Sequence, residues 1–104
     1  MMNIFLKTYC ECSDKKAAEG IAVFIQEKLK PLCGVSIFKI EKYWKIEEYF
    51  EVSFDLEVAA NFDDILHSLA TGWEKSGADY IWNAKEGNSF ISDAVRWSQL
   101  EIIE

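Results

Sequence analysis

The chain has 104 residues, of which 18 are acidic, 11 are basic and one is histidine, giving a formal net charge of −7. Such a surface attracts basic proteins and repels nucleic acids and anionic membranes, so nucleic acids and membranes are disfavoured as partners. The composition is 50% apolar and 14% aromatic, which excludes a disordered chain, and the length allows one domain, residues 1–104, with a single core.

The predicted elements alternate between strands and helices along the chain. Apolar residues two apart indicate strands, and apolar residues three and four apart indicate helices. Pro31 and Gly34 close the first helix. In chain order we predict a strand over 3–9, a helix from Ser13 to about Lys30, strands over 35–44 and 46–58, a helix starting at Asn61, and strands over 79–84 and 94–103.

The third predicted strand has the clearest pattern in the chain. Its even positions include Phe50, Val52, Phe54, Leu56 and Val58, which favour burial. Its odd positions are mostly acidic and polar: Glu47, Tyr49, Glu51, Ser53, Asp55 and Glu57. Because strand side chains alternate between the two faces of a sheet, this strand has one apolar and one acidic face.

This order of elements predicts an α+β fold of the ferredoxin-like type, βαββαβ, with an additional C-terminal strand that extends the sheet at an edge. In this arrangement two helices cover one face of an antiparallel sheet and the other face is open. If the apolar side of the third strand packs on the helices, its acidic side lies on the open face.

The predicted partner-binding residues combine this acidic row with exposed aromatic rings. Glu47, Glu51, Asp55 and Glu57 would meet lysine and arginine on a partner, and Tyr49, Trp44 and Trp82 would supply apolar anchors. We assign Trp73 and Trp97 to the core. The alternative for the acidic row is an ordinary solvated strand face, which the sequence leaves open.

The sequence contains no motif that indicates catalysis. It has no glycine-rich phosphate loop, no HExxH and no GxSxG. His67, the only histidine, falls away from the apolar stripe of its helix and is expected at the surface. Lys39, Lys42 and Lys45 alternate with aromatic residues, but an RNA-binding motif is missing.

The cysteines and the N-terminus favour a cytoplasmic protein. Cys10, Cys12 and Cys33 are odd in number, so they cannot all pair within the chain. Their spacing lacks the fourth ligand and the CxxC pattern of a structural zinc site, and we expect neither a metal nor a cofactor. The N-terminal segment lacks the features of a secretory signal, and no apolar run is long enough to span a membrane.

The chain resembles the immunity proteins of bacterial contact-dependent growth inhibition and polymorphic toxin systems. The resemblance is one of size, acidity and element pattern over the whole chain, which ends in Arg96-Trp97-Ser98-Gln99-Leu100-Glu101. It implies a binder that occupies a cognate toxin domain, often a nuclease with a basic active site, and that is not itself an enzyme.

Two other functions remain open at this point. The first is a small ferredoxin-like enzyme or sensor of the dimeric α+β barrel type, which would act on a small hydrophobic molecule and dimerise through the open sheet face. The second is a structural or regulatory interaction domain. Fold alone does not decide among them.

Overall fold

The computed structural model describes residues 2–59 and 61–103, so Met1, Ala60 and Glu104 lie outside the described residues. The elements in chain order are β1 (Met2–Glu11), α1 (Lys15–Leu29), β2 (Gly34–Lys42), β3 (Tyr49–Val58), α2 (Phe62–Leu69), β4 (Glu74–Ser76), β5 (Asp79–Asn83) and β6 (Val95–Ile102).

The strands form one antiparallel sheet in the order β2-β3-β1-β6-β5-β4. Its even-numbered side chains in β1 and β3 are buried in the same core as the apolar stripes of both helices. The helices therefore cover one face of the sheet and leave the other open. The predicted α+β class, with an antiparallel sheet and two helices, is confirmed.

The helix-covered face of the sheet contains two buried hydroxyl groups that pair with backbone oxygens. Thr8 Oγ1 donates to the carbonyl oxygen of Val52 at 2.7 Å, and Ser98 Oγ donates to that of Lys7 at 2.7 Å. Burying a hydroxyl is tolerated when its hydrogen bond is made, so these residues tie β3, β1 and β6 together inside an otherwise apolar core.

Asp14 fixes the start of α1, one residue later than predicted. Its Oδ1 atom accepts a hydrogen bond from the backbone N–H of Ala17 at 2.9 Å, which makes Asp14 and not Ser13 the N-cap. The end of α1 at Leu29 agrees with the prediction.

The prediction that the last strand extends the sheet at an edge is wrong. β6 pairs with β1 on one side and with β5 on the other, and a β4–β5 hairpin forms that edge of the sheet. Ser98 and Leu100 of β6 are fully buried and need neighbours on both sides, whereas all three residues of β4 are exposed and suit an edge. β4 was not predicted from the sequence, although Gly77, at φ 62°, provides the left-handed residue of a tight turn after it.

In the part of the chain that the structure describes, no helix has the length and apolar character needed to cross a membrane.

Candidate functional site

The open face, meaning the sheet face without helices, presents side chains in rows that run across the strands. Direct cross-strand partners share a face, so the register gives each row. The three central rows are Glu41–Glu51–Tyr9–Trp97–Asn83, then Lys39–Ser53–Lys7–Gln99–Ile81, and then Ser36–Asp55–Phe5–Glu101–Asp79. Carboxylates in these rows thus come from β2, β3, β5 and β6.

One end of the open face is acidic. This acidic end consists of Asp55 and Glu57 on β3, Glu101 on β6 and Asp79 on β5. Three of these residues belong to one row that spans four strands, a width of about 14 Å at the usual strand spacing. Asp55 and Glu57 were predicted from the sequence, but Asp79 and Glu101 were not, because cross-strand neighbours follow from register and not from spacing along the chain.

Lysines partly neutralise the middle of the open face. The ammonium group of Lys39 lies 3.4 Å from Glu41 and 3.7 Å from Glu51, and Lys7 lies 3.7 Å from Glu101. Glu51 was predicted as a free binding carboxylate, and this is corrected. It is paired with Lys39 because the bulge in β2 turns that lysine toward it, and only 14% of its side chain is exposed. Asp55 and Glu57 have no basic partner among residues 2–59 and 61–103.

An exposed phenylalanine lies beside the acidic end. The β2–β3 register shifts between Ile37 and Lys39, so Phe38 occupies a bulge. Its ring packs edge-on against Phe5 of the open face at 5.3 Å between centroids, and 60% of the residue is exposed. The sequence contains a sign of this bulge that the prediction did not use. The apolar residues Ile37 and Ile40 are three positions apart, which breaks the strict alternation of a strand.

The other end of the open face contains an aromatic cleft of about 390 Å³. Its lining residues are mostly aromatic: Tyr9, Tyr43, Ile46, Tyr49, Asn83, Arg96 and Trp97. The ring of Tyr9 lies at its centre, 4.7 Å from that of Tyr43 and 5.1 Å from that of Trp97. Tyr9 is four residues along β1 from Phe5, so the cleft is about 13 Å from the acidic end.

The electrostatic surroundings of the cleft are acidic. Burial, together with the negative charge of Glu51, raises the pKa of Tyr9 to about 12, so its phenol stays neutral at ordinary pH. Arg96 also lines the cleft, but its Nε atom lies 3.1 Å from Glu11 Oε1 and its charge is balanced there. The cleft therefore has neutral aromatic walls and no free positive charge among its described lining residues.

The predicted residues Trp44, Glu47 and Tyr49 lie at the cleft end of the open face. Trp44 is 83% exposed, and the ammonium group of Lys45 lies 5.2 Å from the centre of its ring. Tyr49 lines the cleft itself. Glu47 was predicted within the third strand, but it lies in the turn before β3, so it is an exposed turn residue and does not belong to the strand row.

Trp82 was predicted to be exposed, and this prediction is wrong. It is only 2% exposed, its indole N–H donates to the backbone oxygen of Thr71 at 2.8 Å, and its ring packs 5.0 Å from Phe90. The cause is strand parity, since Trp82 pairs with the buried Ser98 on the helix-covered face. Trp82 therefore cannot contact a partner at the open face.

Trp97 was assigned to the core, and this is also corrected. It pairs with Tyr9 and Asn83 on the open face and lines the cleft, where it is only partly buried. His67 is exposed, as predicted. Trp73 packs against the core, and its indole N–H donates to the backbone oxygen of Leu66 at 2.9 Å.

The negative charge of the protein is concentrated on the open face. There the carboxylates of β1, β2, β3, β5 and β6 face only Lys7, Lys39 and Arg96 among the strand residues described. On the other side of the molecule, the two helices and the caps of α1 are close to balanced. They carry five acidic residues, Asp14, Glu19, Glu27, Asp63 and Asp64, against four lysines, Lys15, Lys16, Lys28 and Lys30. A basic molecule would therefore be drawn to the open face.

The cysteines do not form a reactive or metal-binding group. All three are free thiols. Burial raises the pKa of Cys10 to about 11 and also raises the pKa values of Cys12 and Cys33. Across the described ranges, 2–59 and 61–103, no group of three or more His, Cys, Asp or Glu residues is placed to hold a metal ion.

We expect Cys10 to resist alkylation in the folded protein. Its thiol is fully buried and its raised pKa leaves little thiolate at pH 8. Mass spectrometry after iodoacetamide treatment at pH 8 should find Cys10 unmodified in native protein and modified in denaturant. Cys12 and Cys33 are partly exposed and serve as internal controls, which should react before Cys10. Equal rates at all three residues would contradict this burial.

Comparisons of the chain with protein-family models, with curated proteins and with solved structures find no match.

Proposed function

We propose that this protein is an immunity protein whose open face binds and neutralises a basic toxin domain, such as a nuclease. The observation that carries the proposal is the uneven distribution of charge. Carboxylates outnumber lysines on the open face, whereas acidic and basic residues are nearly equal in number on the two helices. Nucleases hold phosphates with basic groups, so an acidic surface complements their active sites.

The open face also has the apolar groups that a tight interface needs. Phe38 lies beside the acidic end, and the ring of Trp44 lies 6.3 Å from that of Tyr43 in the wall of the aromatic cleft; both are largely exposed. Exposed aromatic residues at the centre of an interface often dominate its binding energy, while surrounding charges guide the approach of the partner. Inhibition in this way requires tight occupation of the toxin site and no catalysis.

The fold proposed for this function is a ferredoxin-like core with an inserted hairpin. The order β2-β3-β1-β6, together with α1 and α2, fits that core, and β4 and β5 would be the insertion before the last strand. The insertion widens the open face by adding Asp79 and Ile81 to the rows that begin on β2.

The charge of the open face argues against the alternative of a dimeric α+β barrel enzyme or sensor. In such a dimer two copies of this face would meet, and Asp55, Glu57 and Glu101 would confront carboxylates of the second copy. Like charges brought together at an interface cost free energy, so a basic partner fits this face better than a second copy does.

The proposal predicts that the gene immediately upstream encodes a protein whose C-terminal domain is basic and arrests growth, and the test uses that domain. Co-expression with the present protein should restore the growth of cells that produce that domain, and the purified pair should bind. Because the complementary charges are screened by salt, the dissociation constant should rise at least about tenfold between 50 mM and 500 mM NaCl. Failure to restore growth, or affinity that does not change with salt, would overturn the proposal.

A further inference from the structure

The aromatic cleft has a defined geometry that the proposed function does not by itself explain. Tyr43 and Trp97 flank the ring of Tyr9 at 4.7 Å and 5.1 Å, with interplanar angles of 56° and 52°. Inclined rings around a central ring form a concave wall of π-faces. Such walls attract cations, because the face of an aromatic ring carries negative potential.

The charges around the cleft favour the same class of occupant. Glu51 and Glu41 continue the row of Tyr9 and Trp97 toward β2, and Glu11 lies on the next row toward the end of β1. Arg96 is the basic residue in the lining, and its guanidinium is held by Glu11 at 3.1 Å. Glu41 and Glu51 share Lys39, so these three carboxylates face two basic groups and leave one negative charge in excess. This excess, together with the aromatic rings, favours a cation over an anion.

Asn83 adds a polar group at the far wall of the cleft. It pairs with Trp97 on the open face and lines the cleft. A side-chain amide oxygen accepts hydrogen bonds, and a guanidinium donates them in a fixed plane while stacking on aromatic rings. An ammonium group lacks this planar stacking, so the combination of rings and amide favours arginine over lysine.

We propose, on the basis of the proposed function, that the aromatic cleft receives one arginine side chain of the basic partner, stacked between Tyr43 and Trp97 over Tyr9. The acidic end, about 13 Å away along the strands, then contacts a second basic group of the same partner. The open face would thus have two contact points, one for a buried arginine and one for surface charges.

The test uses N-acetylarginine amide as a probe and N-acetylcitrulline amide as its control, because citrulline has nearly the same shape and no charge. Binding is followed by NMR at the indole N–H of Trp97. The indole groups of Trp73 and Trp82 donate to backbone oxygens at 2.9 Å and 2.8 Å and serve as internal references. We expect the arginine probe to bind at least about fivefold more tightly than citrulline.

Two matched variants connect the binding to the cleft. Tyr43→Ala removes one wall and should abolish the shift of the Trp97 signal, whereas Tyr43→Phe keeps the ring and should retain it. Phe24→Ala, at an exposed aromatic residue of α1, is the control and should have no effect. If Tyr43→Ala perturbs folding, the comparison of arginine with citrulline on the original protein still decides the proposal.

The outcomes separate this proposal from the proposed function. Equal binding of arginine and citrulline would overturn the arginine site. Tighter binding of free indole, added as a third probe, would also overturn it and would favour a small planar ligand. Arginine binding without any complex with the upstream-encoded domain would leave the cleft as proposed but overturn the immunity function. A toxin complex whose affinity is unchanged by Tyr43→Ala would overturn the arginine site but not the immunity function.

Discussion

Replacing Trp82 with alanine is expected to lower the free energy of unfolding by about 3–5 kcal/mol, the usual cost of removing a large aromatic side chain from a core. Trp82 is 2% exposed, packs against Phe90 and donates a hydrogen bond to Thr71. The variant loses these contacts and leaves a cavity under β5. Since small domains are stable by only about 5–15 kcal/mol, thermal or urea unfolding should show a large shift.

The matched control is Trp44→Ala. Trp44 is the same residue type but is 83% exposed, so its replacement should change the free energy of unfolding by less than about 0.5 kcal/mol. Urea unfolding of both variants, followed by circular dichroism, measures the difference. A similar loss of stability in the two variants would contradict the placement of Trp82 on the helix-covered face.

Reversing two carboxylates at the acidic end is expected to weaken binding of the basic partner by about a hundredfold. Asp55→Lys and Glu57→Lys together replace exposed negative groups that have no basic partner in the described part of the chain. Like charges opposed across an interface cost several kcal/mol, and a hundredfold change corresponds to about 2.7 kcal/mol. Isothermal titration calorimetry of the variant with the upstream-encoded domain measures the loss.

The control variant has the same net charge change on the opposite side of the molecule. Glu19 and Glu27 are exposed residues of α1, and Glu27 pairs with Lys30 only at the surface, so Glu19→Lys with Glu27→Lys should cost little stability. This control variant should weaken binding by less than about fivefold, because it reduces only the long-range attraction between the two proteins. Equal losses in the two double variants would mean that total charge, and not the open face, determines affinity.

The sequence predicted the faces of β3 well. Alternation over Phe50–Val58 placed the apolar residues under the helices and the acidic residues on the open face, as the structure has them. The period of two is a local property of the strand, and the large apolar side chains leave no alternative register. Both helices were predicted for the same reason, because their apolar stripes are also local.

The composition of the candidate site could not be predicted in the same way. The bulge at Phe38 reverses the faces of β2 and brings Lys39 beside Glu51. The neighbours of Tyr9 come from strands far away in the chain, so the cleft depends on register across the sheet. Trp82 was predicted to be exposed because it lies just before a loop. Its place in the alternation of β5 instead directs its side chain to the helix-covered face.

The most direct test of the open-face interface is NMR mapping of backbone amides in the complex with the upstream-encoded domain. We predict that shifts and line broadening concentrate on Phe38, Trp44, Asp55 and Trp97, with little change along the exposed side of α1. Perturbation centred on Val23 and Phe24, the exposed apolar residues of α1, with an unperturbed open face would contradict the account.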